Sequence, residues 1–469
     1  MTADALTRIV KSYDVRGLVA TELTPEVTRA LGAAFIDVVV GTGNEFVLGH
    51  DMRESSPTLA KAFIEGALSA GGSVINIGLC STDMVYFASG TWDIPAVMFT
   101  ASHNPASYNG IKFCKRSAQG ISMNTGLADI RDRAREYLES DPAPNPVSGV
   151  ASERTVLAEY AQYLRALVSL ESSRPLRVVV DAANGMAGLT VPGVLGNDLG
   201  GELLPLEITE MYFELDGSFP NHEANPLEPK NLVDLQKAVI AQGADIGLAF
   251  DGDADRCFVI DEKGQAVTPS AVAALVAKRE IMRVQASGEE GPIRVIHNLI
   301  CSRTVPEVIQ ENGGEPVRTQ VGHSFIKDRM RDTGAIFGGE HSAHYYFRDF
   351  WGADNGMLAA MHVLAELGSS TQPLSTLAGE FARYVESGEI NSVVEDQASV
   401  VATVREKFAS RGEIDDLDGM TVSGDSEGVF WWFNLRASNT EPLLRLNVEA
   451  GTNQVMETLR DEVLSLVRG

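Results

Sequence analysis

The sequence predicts an α/β protein built from three related α/β modules with mixed sheets, followed by a smaller C-terminal α+β domain. Strand-like apolar runs alternate with segments of helical period through most of the chain, and several of those runs break off into polar loops bearing glycine or serine. From about residue 386 the alternation gives way to short strands and a hairpin pattern. At 469 residues the chain exceeds a single core, so three or four domains are expected.

The elements follow in order. Thr24-Pro25-Glu26-Val27 has the form of a helix start, a capping hydroxyl with proline at the first helical position, and Val27, Leu31, Phe35 and Val38 carry the apolar stripe to Gly41. Residues 46–48 read as a strand, 57–70 as a helix burying Leu59, Phe63, Ala67 and Leu68, and 74–77 as the next strand. The proline-rich segment 141–146 continues neither helix nor central strand and marks a first boundary. A new unit opens at Arg177-Val178-Val179-Val180 and closes on strands 245–250 and 257–261. The polar loop 287–292 precedes a further strand at 294–298. Beyond residue 386 come a helix over 400–410, a hairpin of 429–435 with 443–448, and a last helix to Arg468. The resulting segments are 1–150, 151–265, 266–385 and 386–469.

With 38 basic and 64 acidic residues the net charge is −26, which argues against a nucleic-acid or anionic-membrane surface. An anionic substrate therefore needs its cations gathered locally. The cysteines, Cys80, Cys114, Cys257 and Cys301, lack metal-ligand spacing, so neither a zinc site nor a disulfide framework is expected. No apolar leader opens the sequence and no run of 18 apolar residues occurs, so a cytoplasmic location is expected.

Four motifs carry chemistry. Thr100-Ala101-Ser102-His103-Asn104-Pro105 places a serine just past the apolar run 96–99, where α/β proteins put their reactive groups. A serine needs activation, and a histidine adjacent in sequence need not point at it; an ordinary Asn-Pro turn is the alternative. Asp251-Gly252-Asp253-Ala254-Asp255-Arg256 offers three carboxylates to one hard cation. Asp251, Asp253, Asp255 and Glu262 also fall at EF-hand positions, but Arg256 stands where that loop requires glycine and the flanks read as strands. Gly339-Glu340-His341-Ser342-Ala343-His344 offers a carboxylate, a hydroxyl and imidazoles suited to sugar hydroxyls. Arg436-Ala437-Ser438-Asn439-Thr440-Glu441-Pro442, with Arg445 beyond it, is a turn suited to a phosphate dianion.

Together these motifs resemble the α-D-phosphohexomutase superfamily. The Arg436 turn matches the R-A-S-N-T-x-P form of its phosphomannomutase/phosphoglucomutase branch rather than the R-P-S-G-T-E-P form of phosphoglucosamine mutases. Tyr13-Asp14-Val15-Arg16-Gly17, Gly49-His50-Asp51-Met52-Arg53, Tyr108-Asn109-Gly110-Ile111-Lys112 and Gly322-His323-Ser324-Phe325-Ile326-Lys327 extend the likeness over essentially the whole chain.

The resemblance implies four domains around a central cleft: a phosphoserine-loop domain, a metal-binding domain, a sugar-binding domain and a C-terminal phosphate-binding domain, with a hinge near 386. It implies reversible phosphoryl transfer between the 6- and 1-positions of hexose phosphates, mannose and also glucose phosphates, through phosphorylated Ser102. A hexose 1,6-bisphosphate serves as intermediate and activator. One Mg²⁺ per chain is implied, held by Asp251, Asp253, Asp255 and the Ser102 phosphoryl group with Arg256 nearby. Arg16, His103, Lys112 and His344 become candidates for proton exchange. Tyr13, Arg303, His323, Lys327, Glu340, Ser342, His344, Arg436, Ser438, Asn439, Thr440 and Arg445 become candidates for substrate contacts. Two departures stand out. Ala343 replaces a glycine, and alanine resists positive φ. Ile300 replaces a lysine, for which Arg303 or Lys327 is expected to substitute. A phosphoglucosamine mutase, or a sugar-phosphate-binding protein without turnover, is the alternative.

Overall fold

The computed structural model of the chain describes residues 2–140, 149–200, 202–437 and 443–469, apart from the side chains of residues 2–4, 323 and 324. The boundary expected at 141–146 lies outside the described residues. The chain forms two compact units, Met1–Val267 with Ser342–Ser375, and Thr268–His341 with Thr376–Gly469.

The first unit holds two mixed sheets. One runs in the order Val15–Leu18, Tyr108–Cys114, Ala96–Phe99, Glu45–His50, Ser73–Leu79, Ala151–Glu153. Its first two pairings are antiparallel and the remaining three parallel. Helices Pro25–Phe35 and Ser56–Ser69 pack on it, and Phe35, Phe46, Phe63, Phe99 and Phe113 fill the core between. Thr24 caps the first helix by accepting from the Val27 amide, as the sequence predicts. The α-helix stops at Phe35 and widens into a π turn, Ile36–Val40, before Gly41. The two helices approach closely at glycines: a Cβ on Gly32 would lie 2.2 Å from the Phe63 carbonyl oxygen, and one on Gly66 2.0 Å from that of Arg29.

The second sheet runs Ala266–Val267, Cys257–Asp261, Ile246–Phe250, Leu176–Asp181, Leu206–Met211. Its last three strands are parallel and its first two pairings antiparallel. The same unit includes the antiparallel pair Tyr345–Phe347 and Ala353–Asp354, and the helix Gly356–Ser369.

The second unit contains parallel strands in the order Glu315–Thr319, Arg294–Asn298, Phe337–Gly339, with helices Pro269–Ser287, Thr304–Glu311 and His323–Thr333. It also contains an antiparallel sheet, Val385–Glu386, Leu443–Ala450, Val429–Ala437, Met420–Ser426, Glu413–Asp415, with Ile390–Val393 paired to Leu443–Ala450 as well. Helices Gln397–Phe408 and Asn453–Arg468 enclose its core with Trp431 and Phe433. Mixed α/β layers followed by an antiparallel α+β domain are the predicted fold class. All four cysteines are buried and free. Among the described residues, no helix is long and apolar enough to cross a membrane.

Candidate active site

Ser102 sits on the loop joining Ala96–Phe99, buried throughout, to its antiparallel partner Tyr108–Cys114. Its side chain is buried and its backbone is left-handed, φ 49°. A serine held there costs conformational energy, so the surroundings must impose it. They do so through Arg53, itself only 1% exposed. Its guanidinium donates to the carbonyl oxygens of Ser102 (2.8 Å), Asn104 (2.7 Å), Pro105 (2.9 Å) and Tyr108 (3.0 Å), while its Nε donates to Asp51 at 3.2 Å. The Ser102 amide donates to Thr100 Oγ1 at 2.9 Å. One buried cation thus donates to four loop carbonyls, of which that of Pro105 also accepts from the Tyr108 amide at 3.0 Å. Sequence reasoning quoted Arg53 within a motif and gave it no role; a charged Asp-x-Arg directly after a buried strand was the available signal.

The acidic loop joins two fully buried antiparallel strands, and all three of its aspartates are buried. Asp251 Oδ2 accepts from Ser102 Oγ at 2.9 Å and from Arg256 Nε at 2.9 Å. Lys112 Nζ donates to Asp253 at 2.8 Å and to Asp255 at 2.6 Å, and Thr82 Oγ1 donates to Asp253 at 2.6 Å. Burial pushes Asp251 up to about 7 against the pull of Arg256. Burial also works upward on Asp253, but Lys112 and Thr82 hold that carboxyl well below the usual range. A glycine fixes the neighbouring helix here: a Cβ on Gly356 would lie 2.7 Å from the Arg256 backbone.

These residues fit a hard divalent cation. Oxygen atoms of Asp251, Asp253 and Asp255 lie within 4.8 Å of one another, and among the described residues the Oδ1 atoms of Asp253 and Asp255 are buried without a hydrogen-bond donor. Orphaned carboxylate oxygens in a dry site are costly, and a cation with oxygen preference relieves the cost. Asp255, His344 and Asp354 form a second close group, but His344 Nδ1 is taken up by Asp354 at 2.9 Å.

Four candidates for proton exchange gather around Ser102 and the acidic loop. His103 Nδ1 lies 3.3 Å from Ser102 Oγ and 2.6 Å from Arg256 Nη2. A guanidinium only donates, so Nδ1 accepts and the ring proton resides on Nε2. Burial and then Arg256 push His103 well below its ordinary value, so the ring is neutral. Arg16 donates to Asp14 at 2.8 Å, to the Ala101 carbonyl at 3.0 Å and to Asn104 Oδ1. Burial lowers Lys112, but Asp253 and Asp255 more than compensate, and it is held well above its usual value as an ammonium. Burial likewise opposes charge on His344, yet the Asp354 hydrogen bond and Asp255 leave it raised. Ala343 adopts φ 65° in the loop before it, so alanine occupies the conformation that glycine favours. Tyr13, half-buried, precedes Asp14 in the same segment as Arg16.

The remaining candidates divide between units. Ser342 and His344 belong to the first, Glu340 and His341 to the second. Glu340 is buried and accepts from Asn298 Nδ2 and the Gly322 amide, each at 3.2 Å. His341 Nδ1 lies 2.9 Å from Ser270 Oγ and 3.7 Å from Glu386. Ile300 is buried against Leu299 and Trp432. Arg303, near it, has its Nε bound to Glu307 at 2.8 Å and its guanidinium stacked 3.8 Å from the Phe430 ring centre. Lys327 is buried in the helix His323–Thr333. Arg436 and Arg445 meet at Glu389. The side chain of His323, and Ser438, Asn439 and Thr440, lie outside the described residues.

Comparison with known proteins places this geometry. Sequence profiles described as phosphoglucomutase/phosphomannomutase alpha/beta/alpha domains I, II and III match residues 7–140, 158–264 and 268–384, and the corresponding C-terminal domain profile matches 389–466. Proteins described as phosphohexose mutases in Xanthomonas campestris pv. campestris are 39% identical over 463 residues, covering 98% of this chain and 99% of theirs. The phosphomannomutase of Salmonella typhimurium is 37% identical over 462 residues, covering 97% and 98%. A crystal structure of a phosphoglucomutase/phosphomannomutase family protein from Burkholderia thailandensis superposes with a TM-score of 0.85 at 29% identity, covering 98% of this chain and 97% of that one.

Proposed function

Because the chain belongs to the phosphoglucomutase/phosphomannomutase family, we propose that its reaction runs through Ser102. The enzyme is an isomerase that moves a phosphoryl group within a hexose phosphate. Mannose 6-phosphate and mannose 1-phosphate are the proposed pair, with glucose phosphates accepted too. The relatives described as phosphomannomutases support the first, and the phosphohexose mutases support the wider range.

In the phosphorylated enzyme, Ser102 Oγ is an ester oxygen and carries no proton. The bond between phosphorus and Oγ breaks as a bond forms to the free sugar hydroxyl, giving a hexose 1,6-bisphosphate. The second half of the cycle returns the other phosphoryl group to Oγ. Arg256 Nη2, 3.4 Å from Oγ, is placed to balance charge on the group in flight. The aspartate loop holds one Mg²⁺, which when bound supplies charge neutralisation at the phosphoryl oxygens. Arg16 and Lys112 are protonated ion-pair partners and the accepting nitrogen of His103 faces Arg256, so they hold the site rather than take a proton. His344, oriented through Nδ1 by Asp354, offers Nε2 to the sugar hydroxyl proton. Glu340 and Ser342 are proposed to grip sugar hydroxyls, with Tyr13, His323 and Lys327 as supporting contacts. Arg436, Ser438, Asn439, Thr440 and Arg445 are proposed to hold the phosphate that is not being transferred.

The observation that supports this reading most directly is the convergence of Ser102 Oγ with Asp251 and Arg256 beside two orphaned carboxylate oxygens. A coupled assay with mannose 1-phosphate, glucose 1-phosphate and glucosamine 1-phosphate, primed with glucose 1,6-bisphosphate, tests it. Turnover of the first two is expected, and preference for the glucosamine phosphate would move the enzyme to the other branch.

A further inference from the structure

Arg436 and Arg445 face each other directly across the hairpin of Val429–Ala437 and Leu443–Ala450. Both guanidiniums converge on one carboxylate. Arg436 Nη2 donates to Glu389 Oε2 at 2.9 Å, and Arg445 Nη1 donates to Glu389 Oε1 at 3.1 Å. Glu389 is delivered there by the sheet: it precedes Ile390–Val393, whose Asn391 is paired with Arg445.

The charges and donors do not balance. Among the described residues two cations share one anion, and the Nε–H groups of Arg436 and Arg445 are both buried without an acceptor. The three side chains remain 13%, 30% and 28% exposed for Arg436, Arg445 and Glu389, so an anion from solution can reach them. The cluster is an anion site partly filled from within: the carboxylate presents two oxygens to two arginines, as a phosphate would, and leaves two donors unspent. An ordinary surface ion pair, one cation to one carboxylate, leaves no such surplus.

Resting on the reading above that this hairpin holds the phosphate not being transferred, we propose that Glu389 is a built-in competitor for that phosphate. It keeps the two arginines aligned when the site is empty and weakens their hold when it is full. A mutase needs this, because a bisphosphate that must turn round between two transfers has to be released as well as gripped. Two undiluted guanidiniums favour gripping alone.

Glu389→Gln preserves the shape and removes the negative charge; its single amide oxygen can still accept from one of the two arginines, while the NH2 faces the other. The inhibition constant for inorganic phosphate, and KM for glucose 1-phosphate and mannose 1-phosphate, should each fall about 5- to 30-fold, the range for removing one like charge a few Å from a bound anion near a protein surface. Turnover should fall with them, as release slows. Glu389→Asp, too short to reach both arginines, should shift phosphate inhibition in the same direction by less, and it serves if the glutamine variant does not fold. Phosphate inhibition and KM that are unchanged or weaker in these folded variants overturn the inference. Arg436→Ala separates the two failures. If that variant leaves phosphate inhibition and both KM values unchanged, the assignment of the hairpin to the substrate phosphate is wrong. If it weakens them while the Glu389 variants do not tighten them, Glu389 is only a structural partner.

Discussion

Lys112→Met removes an ammonium that bridges the two aspartates whose Oδ1 atoms lack a donor among the described residues. Lys112 Nζ lies 2.8 Å from Asp253 and 2.6 Å from Asp255, and the carboxylates are at most 1% exposed. Without it Asp253 keeps the hydrogen bond from the Thr82 hydroxyl and the more distant charges of Arg256 and Arg16, and Asp255 keeps Arg256 at 3.8 Å. Breaking a buried ion pair from one side costs about 3–5 kcal/mol, because the remaining charge is dry and unpaired. That cost should appear in full when the protein is free of divalent metal. A cation bound by the three aspartates replaces part of the lost positive charge, so Mg²⁺ should stabilise the variant more than the wild type and bind it more tightly. At 100 times its dissociation constant, binding contributes about 2.7 kcal/mol. Urea unfolding of both proteins, in EDTA and across a Mg²⁺ titration, measures each quantity. A variant as stable as wild type in EDTA, or one no more responsive to Mg²⁺, would refute the placement of the cation on these aspartates. Turnover by the variant is expected to be severely reduced in either buffer.

Arg53→Met should release the four carbonyls that fix the serine loop, costing about 3 kcal/mol or more in unfolding experiments and lowering kcat further than KM; loss of stability with unchanged turnover would show that the loop geometry survives without it. Ala343→Gly exchanges a left-handed alanine, strained by about 1–2 kcal/mol, for a residue that loses about 0.5–1 kcal/mol through chain entropy, so thermal stability should hold or rise slightly, and a clear loss would mean that the buried methyl group matters more than the strain. Glu386 should make the second unit sensitive to alkali. Burial, with Glu449 nearby, raises its pKa from the usual 4.5 to about 8 in the folded state. The folded chain then holds a proton that the unfolded chain has lost, so this stability is full below about 4.5 and disappears as pH rises through about 8. His341, which burial lowers, is already neutral in the upper part of that window. Unfolding midpoints that fall from about pH 5 to 8 in the wild type and fall less steeply in Glu386→Gln are expected, part of the slope remaining because burial also raises Glu449; parallel curves would contradict the assignment.

The parts of this molecule that were legible in the sequence are those in which local chemistry and tertiary structure agree. Buried strands such as Ala96–Phe99 and Ile246–Phe250 read as unbroken apolar runs, so the polar loops after them announced themselves. Thr24 with Pro25 marked a helix start because capping is local. Arg53 carried only the weak signal of a charged Asp-x-Arg after a buried strand, which says nothing of what it binds. Its role depends on carbonyls roughly fifty positions away in sequence that only the folded loop brings within reach. The contacts of Arg303 with Phe430 and Glu307 were out of reach for the same reason, since Phe430 is remote in sequence. Ala343 was the reverse case: alanine in place of glycine spoke against a left-handed backbone, and the structure keeps that backbone at φ 65° nonetheless. The meeting of Arg436 and Arg445 on Glu389 needed strand register, which spacing alone does not give.

The central claim is that Ser102 relays the phosphoryl group, and peptide mass mapping of enzyme sampled during turnover tests it most directly. Wild-type protein mixed with glucose 1,6-bisphosphate should carry one extra phosphoryl group on the peptide containing Ser102, and added glucose 6-phosphate should discharge it at least as fast as steady-state turnover. Ser102→Ala should remain unmodified and inactive. Turnover with Ser102 unmodified throughout, or a phosphoryl group on Ser102 that glucose 6-phosphate does not remove, would contradict the account.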